Sequence, residues 1–187
     1  MNLALSKLVD LHRPPQLVYD VGGYLGNYTQ EILKRFDCKV VLFEPIAEYA
    51  QICLNKFIHD DRVIVIQAAA WIDNEGTFVY KKGLGSSQFK ALVKTDDGET
   101  VPTISLAEYL TVNGVPDILK LNCEGAEYAL LNSLREGGLL HVIKEVLVQF
   151  HKIDNYRRLY EEIKAEMFKT HDLVYSFKHW CLWQKFL

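Results

Sequence analysis

The sequence predicts an α/β protein built on a mostly parallel β-sheet. Residues 18–29, VYDVGGYLGNYT, have the pattern of a short strand, a tight turn and the start of an amphipathic helix. Two more apolar strands, 38–43 and 62–70, alternate with helical segments, and successive β-α units imply parallel strands joined by right-handed crossovers. The chain ends in two apolar segments, 173–177 and 180–186, that predict an antiparallel hairpin.

Length and composition indicate one globular domain covering residues 1–187. Hydrophobic residues make up 49% and charged residues 24%, which excludes a disordered chain. The net charge of −3 argues against a nucleic-acid partner. The sequence lacks a long apolar run and a signal-peptide pattern, so we expect a cytoplasmic protein without a membrane span. Four widely spaced cysteines without zinc-site spacing predict buried free thiols and no metal site.

The first half of the chain predicts a regular alternation of helices and strands. A short leading helix at 3–12 ends at two prolines, and the first strand follows at 16–20. The pattern then predicts, in order, a helix at 27–36, a strand at 38–43, a helix at 47–57 and a strand at 62–70.

The glycine-rich turn after the first strand is typical of a ligand-binding loop. Its glycines, Gly22, Gly23 and Gly26, do not fit the G-x-G-x-x-G spacing of dinucleotide-binding folds. Asp20 would repel a phosphate but suits the ammonium group of an amino acid, and Glu44 lies 18 residues after Gly26, where it could accept ribose hydroxyls. These features together fit S-adenosylmethionine. The alternative is an ordinary turn with glycines for geometry and two solvated acids.

The middle of the chain interrupts the alternation. Residues 73–76, DNEG, lie between apolar segments 63–72 and 77–80 and predict a β-hairpin. Residues 81–98 have turn chemistry and little apolar pattern, which is typical of a lid, a binding loop or a disordered segment. We place contacts with the methyl acceptor here, at Ser86, Ser87 and Gln88.

The second half returns to α/β units. Ser105 and Glu108 form a capping-box pattern that predicts a helix start. The pattern then predicts a strand at 118–123, a helix from about residue 126 that glycines at 137 and 138 end, a strand at 142–150 and a helix at 156–168.

Polar residues concentrate at the carboxyl ends of the predicted strands. Because parallel strands end at one edge of the sheet, five of these residues should meet in one cleft. They are Asp20, Glu44, Asn122, Glu124 and His151. Lys120 shares a strand face with Asn122, so it should either pair with an acid, for which Glu145 is our candidate, or reach solvent from a frayed strand.

At these residues the chain resembles the FkbM family of S-adenosylmethionine-dependent methyltransferases, over about residues 17–151. Residues 18–29 resemble the family's first motif, and Phe43-Glu44-Pro45 resembles its ribose-binding acid. Residues 101–106, VPTISL, resemble the segment before the fourth strand. Residues 119–127, LKLNCEGAE, resemble the most distinctive motif, in which an aspartate usually stands where this chain has Asn122.

The resemblance implies a Rossmann-like class I methyltransferase sheet of seven strands in the order 3-2-1-4-5-7-6. It also implies O-methylation of a hydroxyl on a sugar or natural product, with a small molecule or glycan as acceptor. We expect Glu127 to contact this acceptor. The residues expected to bind the donor are Asp20, Gly22, Gly23, Tyr24, Gly26, Thr29, Glu44, Pro45, Ala70, Trp71 and Asn122. Trp71 would either stack on the adenine or pack in the core.

Direct methyl transfer depends mainly on alignment of the two reactants, and a general base assists a hydroxyl acceptor. His151 is the first candidate for this base and Glu124 the second. The alternatives are a histidine that bonds a loop carbonyl and a carboxylate that caps its own helix. Asn122 and Gln149 stand where the family usually has acids. They leave open a non-catalytic S-adenosylmethionine-binding or interaction module, while the glycine spacing disfavours a nicotinamide dehydrogenase.

Overall fold

A computed structural model of the chain describes residues 14–75, 77–80 and 99–186, without the side chains of 77–80 and 99. The predicted leading helix and the whole loop at 81–98 therefore lie outside the described residues. The strands are β1 (Leu17–Val21), β2 (Lys39–Phe43), β3 (Val63–Ile66), β4 (Ala69–Trp71), β5 (Thr77–Tyr80), β6 (Glu99–Ser105), β7 (Ile118–Leu121), β8 (Glu145–Gln149), β9 (His171–Phe177) and β10 (Trp180–Lys185). The helices are α1 (Asn27–Arg35), α2 (Ala47–Lys56), α3 (Leu106–Asn113), α4 (Glu127–Glu136) and α5 (Tyr156–Met167), with a 3₁₀ turn at Leu140–Val142.

Seven strands form the main sheet in the spatial order β3-β2-β1-β7-β8-β10-β9. Neighbours from β3 to β8 are parallel, and β10 runs antiparallel to both β8 and β9. If the main sheet is counted alone, this is the expected order 3-2-1-4-5-7-6. The strand numbers differ because three further strands lie between β3 and β7 in the chain. The α/β fold and the C-terminal hairpin are confirmed.

These three further strands correct the prediction for the middle of the chain. The predicted single strand at 62–70 is divided into β3, in the main sheet, and β4, in a second sheet of order β4-β6-β5. β6 pairs in parallel with β4 and antiparallel with β5, so the predicted hairpin between 63–72 and 77–80 is wrong. The segments on either side of 73–76 therefore pair with β6 instead of with each other, and β6 lies about 25 residues further along the chain than β5.

Side chains on the two faces of the main sheet pack against helices on both sides. Along β1, Val18 faces the cluster that includes Ile32 of α1, whereas Tyr19 and Val21 face the larger cluster under α3, α4 and α5. This alternation is the period of two that a strand dictates. All four cysteines are buried and free, as predicted.

The helix boundaries follow from local chemistry. The side chain of Ser105 accepts a hydrogen bond from the amide of Glu108 at 3.3 Å, so Ser105 caps the start of α3 as predicted. The second bond of the capping box is replaced, because the Ser105 amide donates to Asn74 at 2.8 Å instead of to Glu108. Gly137 caps the end of α4, as predicted. Within the described ranges, no helix is long and apolar enough to cross a membrane.

Candidate active site

The glycine loop between β1 and α1 is hydrogen-bonded to the end of β2 and packs against the end of β7. The amides of Gly22 and Gly23 both donate to the carbonyl of Phe43 at 3.0 Å. Gly22 has a φ of +81°, and a Cβ at this position would lie 1.9 Å from the backbone oxygen of Asn122. A side chain at Gly22 would therefore collide with the protein's own backbone. Close packing against β7 therefore requires a glycine here, and the expected contact of Gly22 with the donor stays a prediction.

The side chain of Lys120, on β7, binds the end of β1 and the start of the glycine loop. Its ammonium donates to Oδ1 of Asp20 at 2.8 Å and to the carbonyls of Val21 and Gly22 at 3.3 and 2.7 Å. Thr29 donates to the other oxygen of Asp20 at 2.8 Å. The acid partner of Lys120 is thus Asp20, and the prediction of Glu145 is wrong. The register explains this, since Asp20 lies opposite Lys120 whereas Glu145 lies opposite Ile118.

Asp20 is fully buried, and both of its oxygens accept hydrogen bonds within the protein. Its direct contact with the ammonium group of a methionyl ligand stays a prediction, as does the contact expected from Thr29. What the structure adds is a second task for Asp20, which is to neutralise the buried Lys120. A buried ammonium group without such a partner would be strongly unfavourable.

Glu44 follows β2 and joins two loops. Its Oε2 accepts from the amide of Tyr24 at 2.7 Å and its Oε1 from the amide of Ile46 at 2.9 Å. Burial raises the pKa of Glu44 to about 7, against the opposing effect of these two hydrogen bonds. Tyr24 itself is half exposed, with a φ of +51°, and its ring packs edge-on against Tyr49 at 4.6 Å.

A cleft opens between these strand ends. Its walls are small or apolar residues from the carboxyl ends of β1, β2 and β7 and from β4: Val21, Gly22, Phe43, Pro45, Ala69, Ala70, Cys123 and Ala126. Asn122 follows β7, and its side-chain oxygen is buried without a hydrogen-bond partner among the residues that the structure describes. Trp71, at the end of β4, packs against the small cluster of Ile46, Ala69 and Val101.

Glu127 occupies a buried position at the start of α4. Its Oε1 accepts from the amide of Cys123 at 2.8 Å and its Oε2 from the amide of Gly125 at 2.9 Å. The same Oε1 lies 2.7 Å from Nδ1 of His151, which follows β8. Glu127 is fully buried, and its expected contact with the acceptor stays a prediction.

His151 lies between two carboxylates. Its Nε2 is 3.5 Å from Oε2 of Glu124, and both side chains are about one quarter exposed. Burial disfavours the charged imidazole. The hydrogen bond to Glu127, the charges of Glu127 and Glu124 and a backbone hydrogen bond with Gln149 outweigh this effect and raise the pKa of His151. Burial also raises the pKa of Glu124. The two predicted catalytic candidates therefore lie together at the carboxyl ends of β7 and β8.

A family model for the methyltransferase FkbM domain matches residues 20–184, which is most of the chain. The chain belongs to this family. Since members are methyltransferases, the protein is an S-adenosylmethionine-dependent methyltransferase by family and fold. No curated protein sequence matches the chain significantly.

Solved methyltransferase structures share this fold with the FkbM-domain chain. One is precorrin-6y C5,15-methyltransferase from Geobacter metallireducens GS-15, with 12% identity, a TM-score of 0.56 and coverage of 98% of this chain and 86% of the other. The ribosomal protein L11 methylase from Lactobacillus delbrueckii subsp. bulgaricus has 13% identity, a TM-score of 0.54 and coverage of 98% and 77%. The SAH-bound methyltransferase PaMTH1 of Podospora anserina has 12% identity, a TM-score of 0.53 and coverage of 92% and 73%. At these identities the likeness establishes a common fold.

Ser86, Ser87 and Gln88, the expected acceptor contacts, lie outside the described residues. Sequence reasoning missed the contact in which the Tyr128 hydroxyl donates to the carbonyl of His151 at 2.9 Å. It also missed the hydrogen bond between Glu127 and His151, although the position of Glu127 at the start of a helix beside another strand end was a usable signal.

Proposed function

We propose that this FkbM-domain protein transfers a methyl group from S-adenosylmethionine to a hydroxyl oxygen of a small molecule or glycan, with His151 as the general base. One observation carries the proposal. The partly exposed imidazole of His151 shares the Oε1 atom of Glu127 with the amide of Cys123, and Cys123 lines the cleft. A group able to take up a proton thus lies near the lining of the cleft in which we place the donor.

The residues that line the cleft, and two that adjoin them in sequence, fit the donor. The buried side-chain oxygen of Asn122 lacks a hydrogen-bond partner among the described residues, and an ammonium group would supply one. Glu44 lies at the end of β2, where its carboxylate keeps lone pairs for ribose hydroxyls besides the two amides that it accepts. Pro45, Ala70 and Ala126 give the cleft walls that a flat base can contact.

The chain's own residues contribute alignment and proton transfer. When bound, S-adenosylmethionine supplies the methyl group in an in-line displacement that breaks the carbon–sulfur bond and releases S-adenosylhomocysteine. His151 takes the hydroxyl proton on Nε2 as the acceptor oxygen forms its bond to the methyl carbon. Such a base typically contributes about 10²–10⁴-fold to the rate. The net charge of −3 favours a small or glycan acceptor over nucleic acid.

The test combines donor binding with a transfer screen. We expect calorimetry to detect binding of S-adenosylmethionine, and a screen over sugars and hydroxylated small molecules to detect S-adenosylhomocysteine release. His151→Ala should lower kcat by about 10²–10⁴-fold with little change in donor affinity. His59→Ala, in the turn after α2, is the matched control and should leave both quantities unchanged.

Two results would contradict the proposal. Donor binding without transfer to any hydroxyl acceptor would favour a non-catalytic binding module. Full turnover in His151→Ala would remove His151 as the base.

In the wild type, kcat should rise with pH through a midpoint above the ordinary histidine range near 6.5, because the deprotonated imidazole acts and the neighbouring carboxylates raise its pKa.

A further inference from the structure

Glu127 is held in a fixed orientation before any contact with His151 is considered. Two backbone amides, from Cys123 and Gly125, donate one hydrogen bond to each of its oxygens. The side chain is fully buried at the first turn of α4. Oε1 keeps one lone pair, and Nδ1 of His151 lies 2.7 Å from this atom. His151 follows β8, the strand next to β7 in the sheet. The carboxylate is therefore preorganised by the backbone and offered to the imidazole.

This geometry decides which ring nitrogen of His151 carries the proton. An ionised carboxylate only accepts hydrogen bonds, so a 2.7 Å contact requires a proton on Nδ1. The other carboxylate, Glu124, lies 3.5 Å from Nε2, beyond the usual hydrogen-bond distance. The neutral imidazole therefore keeps its lone pair on Nε2.

We infer that Glu127 is a positioning residue for the proposed base: it fixes His151 in the Nδ1–H tautomer, orients the ring and stabilises the imidazolium that forms during transfer. The inference rests on the proposed function for its role in turnover. It assigns different tasks to two carboxylates three residues apart, since Glu124 is partly exposed beside Nε2 and Glu127 is buried beneath Nδ1. It differs from the substrate contact expected for Glu127 from the sequence.

The charged groups around the imidazole support this division. Glu127 and Glu124 are the acids that act on His151, and together with the backbone of Gln149 they outweigh the effect of burial on its pKa. The hydroxyl of Tyr128 bonds the main-chain carbonyl of His151 and holds the backbone in place. Positioning therefore comes from both the ring and the main chain.

The competing explanation is that Glu127 only caps the turn between β7 and α4. A cap would accept hydrogen bonds from the amides of Cys123 and Gly125. It would not determine which ring nitrogen of His151 carries the proton. The two explanations predict the same loss of stability on mutation but different behaviour of the imidazole. The experiment must therefore observe the imidazole itself.

Nitrogen-15 NMR of the histidine rings in the full chain provides this observation, with the His151 signals assigned from the spectrum of His151→Ala. In the wild type, we expect neutral His151 to carry its proton on Nδ1. In Glu127→Gln, we expect the midpoint of His151 titration to move to lower pH, because the variant removes a negative charge at 2.7 Å. A wild-type His151 protonated on Nε2 when neutral would overturn the inference without depending on any variant.

Glu166→Gln is the matched control. Glu166 also pairs with a histidine, His141, at 3.0 Å, but on α5 and away from the cleft. This variant should leave the titration of His151 and the methyl-transfer rate unchanged. An equal shift of the His151 midpoint in Glu166→Gln would show a general effect of charge and would overturn the specific assignment.

Kinetics separates this inference from the proposed function. In Glu127→Gln, kcat at pH 7 should fall by at least about tenfold, but by less than in His151→Ala, and the rise of kcat with pH should start at lower pH. A fall in kcat without movement of the pH midpoint would assign Glu127 to the fold alone. Full activity of His151→Ala would refute the base itself, whatever tautomer the NMR shows.

Discussion

The two sides of the cleft use their charged residues differently. On the donor side, at the ends of β1, β2 and β7, Asp20, Glu44 and Lys120 are all at most 4% exposed and bond one another or the backbone. On the acceptor side, Glu124 and His151 are about one quarter exposed and lie 3.5 Å apart. The donor side thus uses charge to fix the loops in place. The proposed acceptor side keeps its titratable groups partly exposed.

The largest effect should come from breaking the buried pair of the donor side. Lys120→Met leaves Asp20 buried without its cation and removes the bonds to the carbonyls of Val21 and Gly22. We expect the free energy of unfolding to fall by about 3–5 kcal/mol, the usual cost of removing one partner of a buried ion pair. Urea denaturation followed by circular dichroism would measure it.

Lys144→Met is the control for this prediction. Lys144 also pairs with an aspartate, Asp117, but its side chain is 60% exposed. An exposed pair contributes at most about 1 kcal/mol. If Lys120→Met were no more destabilising than Lys144→Met, the donor side would not depend on buried charge and the comparison between the two sides would fail.

The second effect tests the glycine loop of the donor side. In Gly22→Ala, the new Cβ would lie 1.9 Å from the backbone oxygen of Asn122, in a residue whose φ of +81° is already unfavourable. We expect a loss of about 2–4 kcal/mol from strain and overpacking together. Gly138→Ala should lose only about 1 kcal/mol, because its φ is +70° but nothing lies within 4 Å of the new Cβ. Equal losses in thermal or urea denaturation would show that backbone strain alone matters at Gly22.

The position of these polar residues at the ends of parallel strands was predictable because it depends on local patterns. Each strand end that carries a polar residue could be recognised separately, and the parallel arrangement brings such ends to one edge. Ser105 and Glu108 likewise fixed the start of α3 by an interaction within four residues. These features needed no knowledge of which strands are neighbours.

The features that sequence analysis missed depend on register and on distant pairing. Lys120 could pair with either neighbouring strand, and only the register places Asp20 rather than Glu145 opposite it. β6 contains a proline, Pro102, and pairs with β4 across about 34 residues, without a turn signal to announce it. The link between Glu127 and His151 joins residues 24 apart, and helix capping alone would have explained Glu127.

The third effect would show whether the donor side also titrates. The carboxyl of Glu44 has a pKa of about 7 in the folded protein, mainly because of burial, against about 4.3 in an unfolded chain. Between these values the folded state holds a proton that the unfolded state has lost. Its contribution to stability is therefore complete below about pH 4.3 and is lost as the pH rises through 7.

Glu44→Gln removes this dependence, so the stability of the wild type relative to the variant should fall by about 2 kcal/mol between pH 5 and pH 8. Urea denaturation of both proteins at the two pH values measures the difference. A constant difference would mean that Glu44 is ionised throughout and that proton exchange is confined to the acceptor side. The expected fall would make Glu44 the exception on the donor side.

The smallest effect concerns backbone strain on the acceptor side. Glu124 has a φ of +54°, a conformation that costs a residue with a Cβ about 1–2 kcal/mol, and it lies beside His151. Strained residues that persist at a site are expected where function requires their side chains. Glu124→Gly should therefore stabilise the protein by about 0.5–1 kcal/mol, after the entropy cost of glycine is subtracted, while it lowers methyl transfer.

Lys178→Gly separates the two consequences of this change. Lys178 has a φ of +55° in the turn between β9 and β10, so glycine there should give a similar gain in stability while turnover stays within about twofold. Thermal denaturation and the transfer assay, applied to both variants, provide the comparison. If Glu124→Gly gained stability and kept full turnover, methyl transfer would not require the Glu124 side chain, and the strained backbone there would have no role in the reaction. The acceptor side would then depend on His151 and Glu127 alone, which is a simpler site than the one inferred from the positions of the three side chains.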